Sequence, residues 1–64
     1  MEAEERIRKL ILLGDNRHKQ GLPAKARESY SEALEAAREA GLESSVEPLI
    51  QLRLADLENR SPAG

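Results

Sequence analysis

The sequence predicts an all-α fold in which two helices form an antiparallel hairpin and a third helix packs beside them. Three observations support this prediction. Apolar side chains recur every three or four residues, no stretch alternates with the two-residue period of a strand, and glycines divide the 64-residue chain into segments of helical length. We assign residues 1–60 to a single three-helix domain and residues 61–64 to a flexible tail.

The first helix is predicted from Glu2 to about Gln20, with Ile7 and Ile11 on its apolar face. Three glutamates open this segment, where carboxylates meet the positive end of the helix dipole. Each glutamate precedes a basic residue by four positions, which is the favourable orientation for such pairs. We expect Gly21 to end this helix and Pro23 to begin the next.

The second helix is predicted from Pro23 to about Ala40, where Gly41 follows as a stop. The third is expected to begin between Ser45 and Pro48, because proline fits only the first turn of a helix, and to end near Arg60. Ser44 or Ser45 is the expected N-cap. The apolar side of the third helix is formed by Val46, Leu49, Ile50, Leu54 and Leu57.

Small residues in the first two helices predict a close crossing between them. Gly14 and Ala26 are expected to face each other, because helices approach to about 8–10 Å according to the size of the side chains between them. Tyr30, the only aromatic residue of the chain, is expected to fill the gap that opens one turn farther along.

Six residues lie at the signature spacing of a known repeat family: Leu13, Gly14, Gly21, Ala26, Tyr30 and Ala33. The chain resembles the tetratricopeptide repeat, which has Leu-Gly, a glycine in the turn, alanine, an aromatic residue and alanine. The match covers residues 7–40, and the third helix is similar to the start of a second repeat, because LLGD at 12–15 has a counterpart in RLAD at 53–56. The signature usually has Trp, Tyr and Pro where this chain has Leu10, Arg17 and Arg38.

The microtubule-interacting-and-transport domain, a three-helix bundle, is the alternative resemblance, because its second helix has the same Ala-Tyr-Ala spacing. Either resemblance implies a protein-binding module. The tetratricopeptide resemblance implies a groove between the first and third helices for a mixed apolar and basic ligand. The candidate partner-binding residues are Arg8, Ile11, Asp15, His18, Lys19, Leu49, Leu52 and Asp56.

Leucine and isoleucine are too numerous for three helices to enclose, so some apolar surface is expected to remain exposed. Leu52 is the residue we expect to face outward. Such a surface predicts either a partner protein or a homo-oligomer, so a structural self-assembly unit is the second functional hypothesis. A designed chain or an excised fragment is consistent with the same pattern.

Composition argues against several other functions. The net charge of −2 disfavours nucleic acid and anionic membranes, and the longest apolar run, residues 10–13, is too short to cross a bilayer. The N-terminal segment does not resemble a signal peptide and there is no cysteine, so we expect a cytoplasmic protein. His18 and Asp15 are too few for a metal site, and the serines have no nearby base. We expect no enzyme activity and no cofactor.

Overall fold

The computed structural model describes residues 2–59 and contains three α-helices. They are α1 (Glu2–Lys19), α2 (Pro23–Glu39) and α3 (Glu43–Asn59). No strand occurs within these residues, so the predicted all-α, three-helix fold is confirmed. The predicted tail at 61–64 lies outside the described residues.

The two turns between the helices have the same backbone design. Gly21 and Gly41 adopt left-handed conformations, with φ of 79° and 75°. In each turn the N–H of the following leucine donates to the carbonyl five residues earlier, at 2.9 Å for Leu22 and 2.7 Å for Leu42. This is the Schellman arrangement, which satisfies carbonyl groups at a helix C-terminus and favours glycine. The predicted helix ends at the two glycines are therefore confirmed.

The third helix begins earlier than its serines predict. Its first residue is Glu43, and the carbonyl of Leu42 accepts hydrogen bonds from the N–H groups of Ser45 and Val46, both at 3.1 Å. The expected N-cap at Ser44 or Ser45 is therefore wrong, because both serines are already inside the helix. The Gly-Leu turn leads directly into α3 and supplies the first carbonyl of its hydrogen-bond ladder.

Pro48 is the sixth residue of α3, so the expectation that it must lie in the first turn is also wrong. Proline has no N–H, and the carbonyl of Ser44 therefore lacks its normal helical donor. Ser44 is exposed, which allows solvent to satisfy this carbonyl. The helix continues through Pro48, but its first turn is held by fewer hydrogen bonds than the turns that follow.

The core lies along α2, which packs against both other helices. The buried apolar residues are Ile7, Ile11, Ala26, Tyr30, Ala33, Ala37, Ile50 and Leu57. The small alanine side chains on α2 allow the neighbouring helices to approach its axis closely. The short turns make consecutive helices antiparallel, so α1 and α3 run in the same direction. These two helices contact α2 extensively but contact each other only sparsely.

The atoms nearest to the position of a Cβ on Gly14 belong to the ring of Tyr30, which the sequence places one turn beyond the crossing. A Cβ atom built on Gly14 would lie closest to Cε1 of Tyr30, at 2.7 Å from Cδ1 and 2.9 Å from Cζ. All three atoms belong to the same ring, and the ring is 1% exposed. Gly14 therefore provides space for an aromatic side chain, and Tyr30 lies directly at the crossing of α1 and α2.

Candidate protein-binding groove between α1 and α3

An open groove of about 400 Å³ separates α1 from α3. We call it the α1–α3 groove. It is lined by Glu4, Ile7, Arg8, Ile11, Leu12 and Asp15 of α1, and by Leu42, Ser45, Val46, Leu49 and Arg53 of α3 or the turn before it. It forms because α1 and α3 are both held by α2 but hardly touch each other.

Apolar side chains make up most of the groove surface. Ile7 and Ile11 are buried at its base, with 4% and 9% of their surface exposed, whereas Leu12 and Leu49 are 55% and 40% exposed. Val46 is partly buried between these extremes. The base of the groove is thus continuous with the core, and its upper walls present leucine side chains to solvent.

The walls of the groove share one residue spacing. Side chains recur in steps of four, three and four residues on both walls. They are Glu4, Arg8, Ile11 and Asp15 on α1, and Leu42 in the turn followed by Val46, Leu49 and Arg53 on α3. The same steps separate the core positions of helices that pack side by side. The groove therefore has the residue spacing of a helix-packing surface, but no further helix occupies it in the described residues.

One carboxylate joins all three helices at the end of the groove. Oδ1 of Asp15 accepts a hydrogen bond from the Tyr30 hydroxyl on α2 and another from Nε of Arg53 on α3, the latter at 3.0 Å. The Asp15 and Arg53 side chains remain about one-third exposed, at 32% and 34%. We call the contact between Arg53 and Asp15 the Asp15–Arg53 bridge.

The Tyr30 hydroxyl stays protonated over an extended pH range. Burial raises the pKa of Tyr30 well above its ordinary value, and the hydrogen bond to Asp15 raises it further because the phenol must keep its proton to donate. The charge of Asp15 acts in the same direction, while the nearby Arg53 opposes it. The Tyr30 hydroxyl therefore keeps the proton that it donates to Asp15.

A second, more polar pocket lies on the other side of the Asp15–Arg53 bridge. It holds about 420 Å³ and is lined by Asp15, His18, Tyr30, Leu52, Arg53 and Asp56. Leu52 is 70% exposed there, the largest exposed fraction among the exposed leucines of the described chain. The expectation that Leu52 faces outward is confirmed. The Asp15–Arg53 bridge therefore lies between the apolar α1–α3 groove and this more polar pocket.

The predicted site residues fall into three groups. Arg8, Ile11 and Leu49 line the α1–α3 groove, and Asp15 lines both pockets. The second pocket also contains His18, Leu52 and Asp56. Lys19, the last residue of α1, is exposed and lines neither of these two pockets.

Sequence reasoning did not assign Leu12, Val46 or Arg53 to the groove. The steps of four, three and four residues along α3 are the signal that identifies Val46 and Arg53. Leu12 had no such signal, because its neighbour Leu13 is equally apolar. In the structure Leu13 lies outside the α1–α3 groove, beside Arg17 and α2.

The described residues contain no group of three or more His, Asp or Glu side chains placed to hold a metal ion. Within the same residues no helix combines the length and the apolar character that a membrane crossing requires. Searches against protein-family models, curated proteins and solved structures found no match for this chain.

Proposed function

We propose that the protein is a non-catalytic interaction module whose α1–α3 groove binds an amphipathic helix of a partner protein. The observation that carries the proposal is the pair of groove walls with matching helical spacing and exposed leucines at Leu12 and Leu49. A helix that binds in a groove places apolar side chains at positions i, i+3 or i+4, and i+7. Side chains at this spacing fit between the leucines of the two walls.

The contacts of Asp15 at the end of the groove support binding more than catalysis. Asp15 is engaged by Tyr30 and Arg53, and Tyr30 is held in its protonated form. Catalytic acids and bases need pKa values near the operating pH, whereas the Tyr30 pKa is moved away from it. The resemblance to the tetratricopeptide repeat supports the same conclusion, because that family consists of binding modules.

Selection from a displayed library of helical peptides tests the proposal. We expect enriched peptides to share apolar residues at i, i+3 or i+4, and i+7, and to bind the unaltered protein. Leu49→Glu should weaken their binding at least about tenfold, which corresponds to about 1.4 kcal/mol. Binding is measured by titration with a labelled selected peptide.

The chain provides a matched control for this experiment. Leu13 is 39% exposed, almost the same as Leu49, but it lies outside the α1–α3 groove. Leu13→Glu should leave binding within about threefold, the effect of an ordinary surface substitution of about 0.5 kcal/mol. Equal losses in the two variants, or peptides without the expected spacing, would contradict groove binding.

A second candidate function is homo-oligomerisation through the outer face of α3. The matching tetrapeptides are offset by 41 residues (53 − 12), which pairs Leu52 with Ile11 and Ala55 with Gly14. Ile11 and Gly14 are buried in the hairpin, whereas Leu52 and Ala55 are exposed. This face of α3 therefore has the small and apolar residues of a helix contact but no covering helix in residues 2–59.

The dimer is tested by sedimentation over a range of concentrations. The unaltered chain should form a two-fold dimer, and Leu52→Glu should convert it to a folded monomer, because dimerisation would bury the introduced charge. Gln51→Glu, an exposed neighbour on α3, introduces the same charge and should leave the dimer intact. If the parent is monomeric at high concentration, the dimer hypothesis is wrong. If the Leu52→Glu variant is folded and still dimeric, the interface does not include Leu52, and Leu12 and Leu13 are the next residues to test.

A further inference from the structure

The third helix is the least firmly attached of the three. Within α3 only Ile50 and Leu57 are buried, whereas five residues of α2 are. Its packing against α2 is less extensive than that between α1 and α2, and its direct contact with α1 is sparse. Pro48 also removes one hydrogen bond from its first turn. The position of α3 relative to α1 therefore depends on few interactions.

The ion pairs of Arg38 with Glu43 and of Asp15 with Arg53 both connect α3 to another helix. Arg38 and Glu43, 3.0 Å apart, lie at the turn between α2 and α3 and do not involve α1. The Asp15–Arg53 bridge lies ten residues farther along α3 and spans the cleft to α1. It is thus a polar contact that acts directly on the separation between the two walls of the groove.

The acceptor side of this bridge is held in place by the hairpin itself. Asp15 is on α1, and the Tyr30 hydroxyl of α2 donates to the same oxygen that accepts from Arg53. The Tyr30 ring is buried against Gly14 and cannot follow a movement of α3. Arg53 therefore binds a carboxylate whose position is already set by α1 and α2.

From these contacts we propose that the Asp15–Arg53 bridge sets the width of the α1–α3 groove. When the bridge is broken, α3 moves away from α1 about the turn at Gly41 and Leu42, and the hairpin of α1 and α2 keeps its geometry. The bridge is about one-third exposed, so solvent and a bound helix can both reach it. The bridge sets the shape of the groove whether or not a partner helix binds there.

Distance measurements between spin labels test this inference. The chain has no cysteine, so Lys19→Cys and Glu58→Cys provide two unique labelling sites, both exposed, on α1 and α3. In this background Arg53→Met should broaden the distance distribution and lengthen its mean by more than about 2 Å, the range over which side chains ordinarily change helix separation. Methionine keeps an unbranched side chain and a high helix propensity but cannot make the bridge.

A second label pair separates movement of α3 from general loosening. Glu5→Cys and Glu39→Cys, both exposed, report on the α1–α2 hairpin. Their distance distribution should not change in Arg53→Met. If Arg53→Met loses its helical circular dichroism, Arg53→Leu, which also has high helix propensity and no donor, takes its place with the same expectation. An unchanged Lys19–Glu58 distribution in a folded variant, or equal broadening of both pairs, overturns the inference.

Discussion

Replacing Gly14 with alanine should destabilise the protein, although the same change in an open helix would stabilise it. Alanine is favoured over glycine inside helices by about 0.5–1 kcal/mol. Here, however, the new methyl group would overlap the buried ring of Tyr30, and overpacking of this kind costs about 1–3 kcal/mol. We therefore expect a net loss in the free energy of unfolding, measured by chemical denaturation.

A double-mutant cycle shows whether the ring is responsible. In a Tyr30→Leu background the rigid ring is absent, so Gly14→Ala should become neutral or stabilising by about 0.5–1 kcal/mol, as helix propensity alone requires. If alanine at position 14 is equally destabilising with and without the ring, Gly14 is needed for another reason. A Gly14→Ala variant that is more stable than the parent would contradict the packing itself.

Truncation of Tyr30 should destabilise the protein strongly, because its ring fills the crossing of α1 and α2. Tyr30→Ala removes a large, fully buried side chain and should cost about 3–5 kcal/mol. A chain of this length has about 3–10 kcal/mol in total, at roughly 0.05–0.15 kcal/mol per residue. The loss is therefore about a third or more of the total, so the denaturation midpoint measured by circular dichroism should fall markedly, and the variant should be unfolded if the parent lies at the low end of this range. A folded variant with an unchanged denaturation midpoint would contradict the buried position of Tyr30.

Tyr30→Phe is the matched control, because it keeps the ring and removes only the hydrogen bond to Asp15. Its cost should be about 1.5–3 kcal/mol, the usual range for a hydrogen bond to a charged group. The substitution should also change how the free energy of unfolding depends on pH. The folded-state pKa of Tyr30 lies above the unfolded value of about 10, so the parent loses stability as pH rises from about 10 upward. The phenylalanine variant should lose less over this window.

Helix positions could be predicted from the sequence, because glycines and apolar periodicity act locally. Gly21 and Gly41 end the helices where the sequence places the stops. The start of α3 could not be predicted in this way, because Ser44, Ser45 and Pro48 each have a preferred place near a helix start. The Gly-Leu turn overrides these preferences by presenting the Leu42 carbonyl to the next helix.

Contacts between helices were harder to predict than the helices themselves. The spacing of small residues indicates that α1 and α2 cross closely, but it does not fix their rotation about the helix axes. That rotation brings the Tyr30 ring directly against Gly14. The Asp15–Arg53 bridge joins residues 38 positions apart, and no local pattern connects them. Leu52, in contrast, could be placed on the surface because α3 has more apolar residues than one buried face can hold.

The sparse contact between α1 and α3 also has a kinetic consequence. Helices that are adjacent in the sequence provide nearly all the packing, so few long loops must close before native contacts form. Proteins with such local contacts fold in microseconds to milliseconds. The hairpin of α1 and α2 contains Gly14 and Tyr30, and its contacts all lie between residues 2 and 39. The hairpin can therefore form from short-range contacts before α3 packs against it.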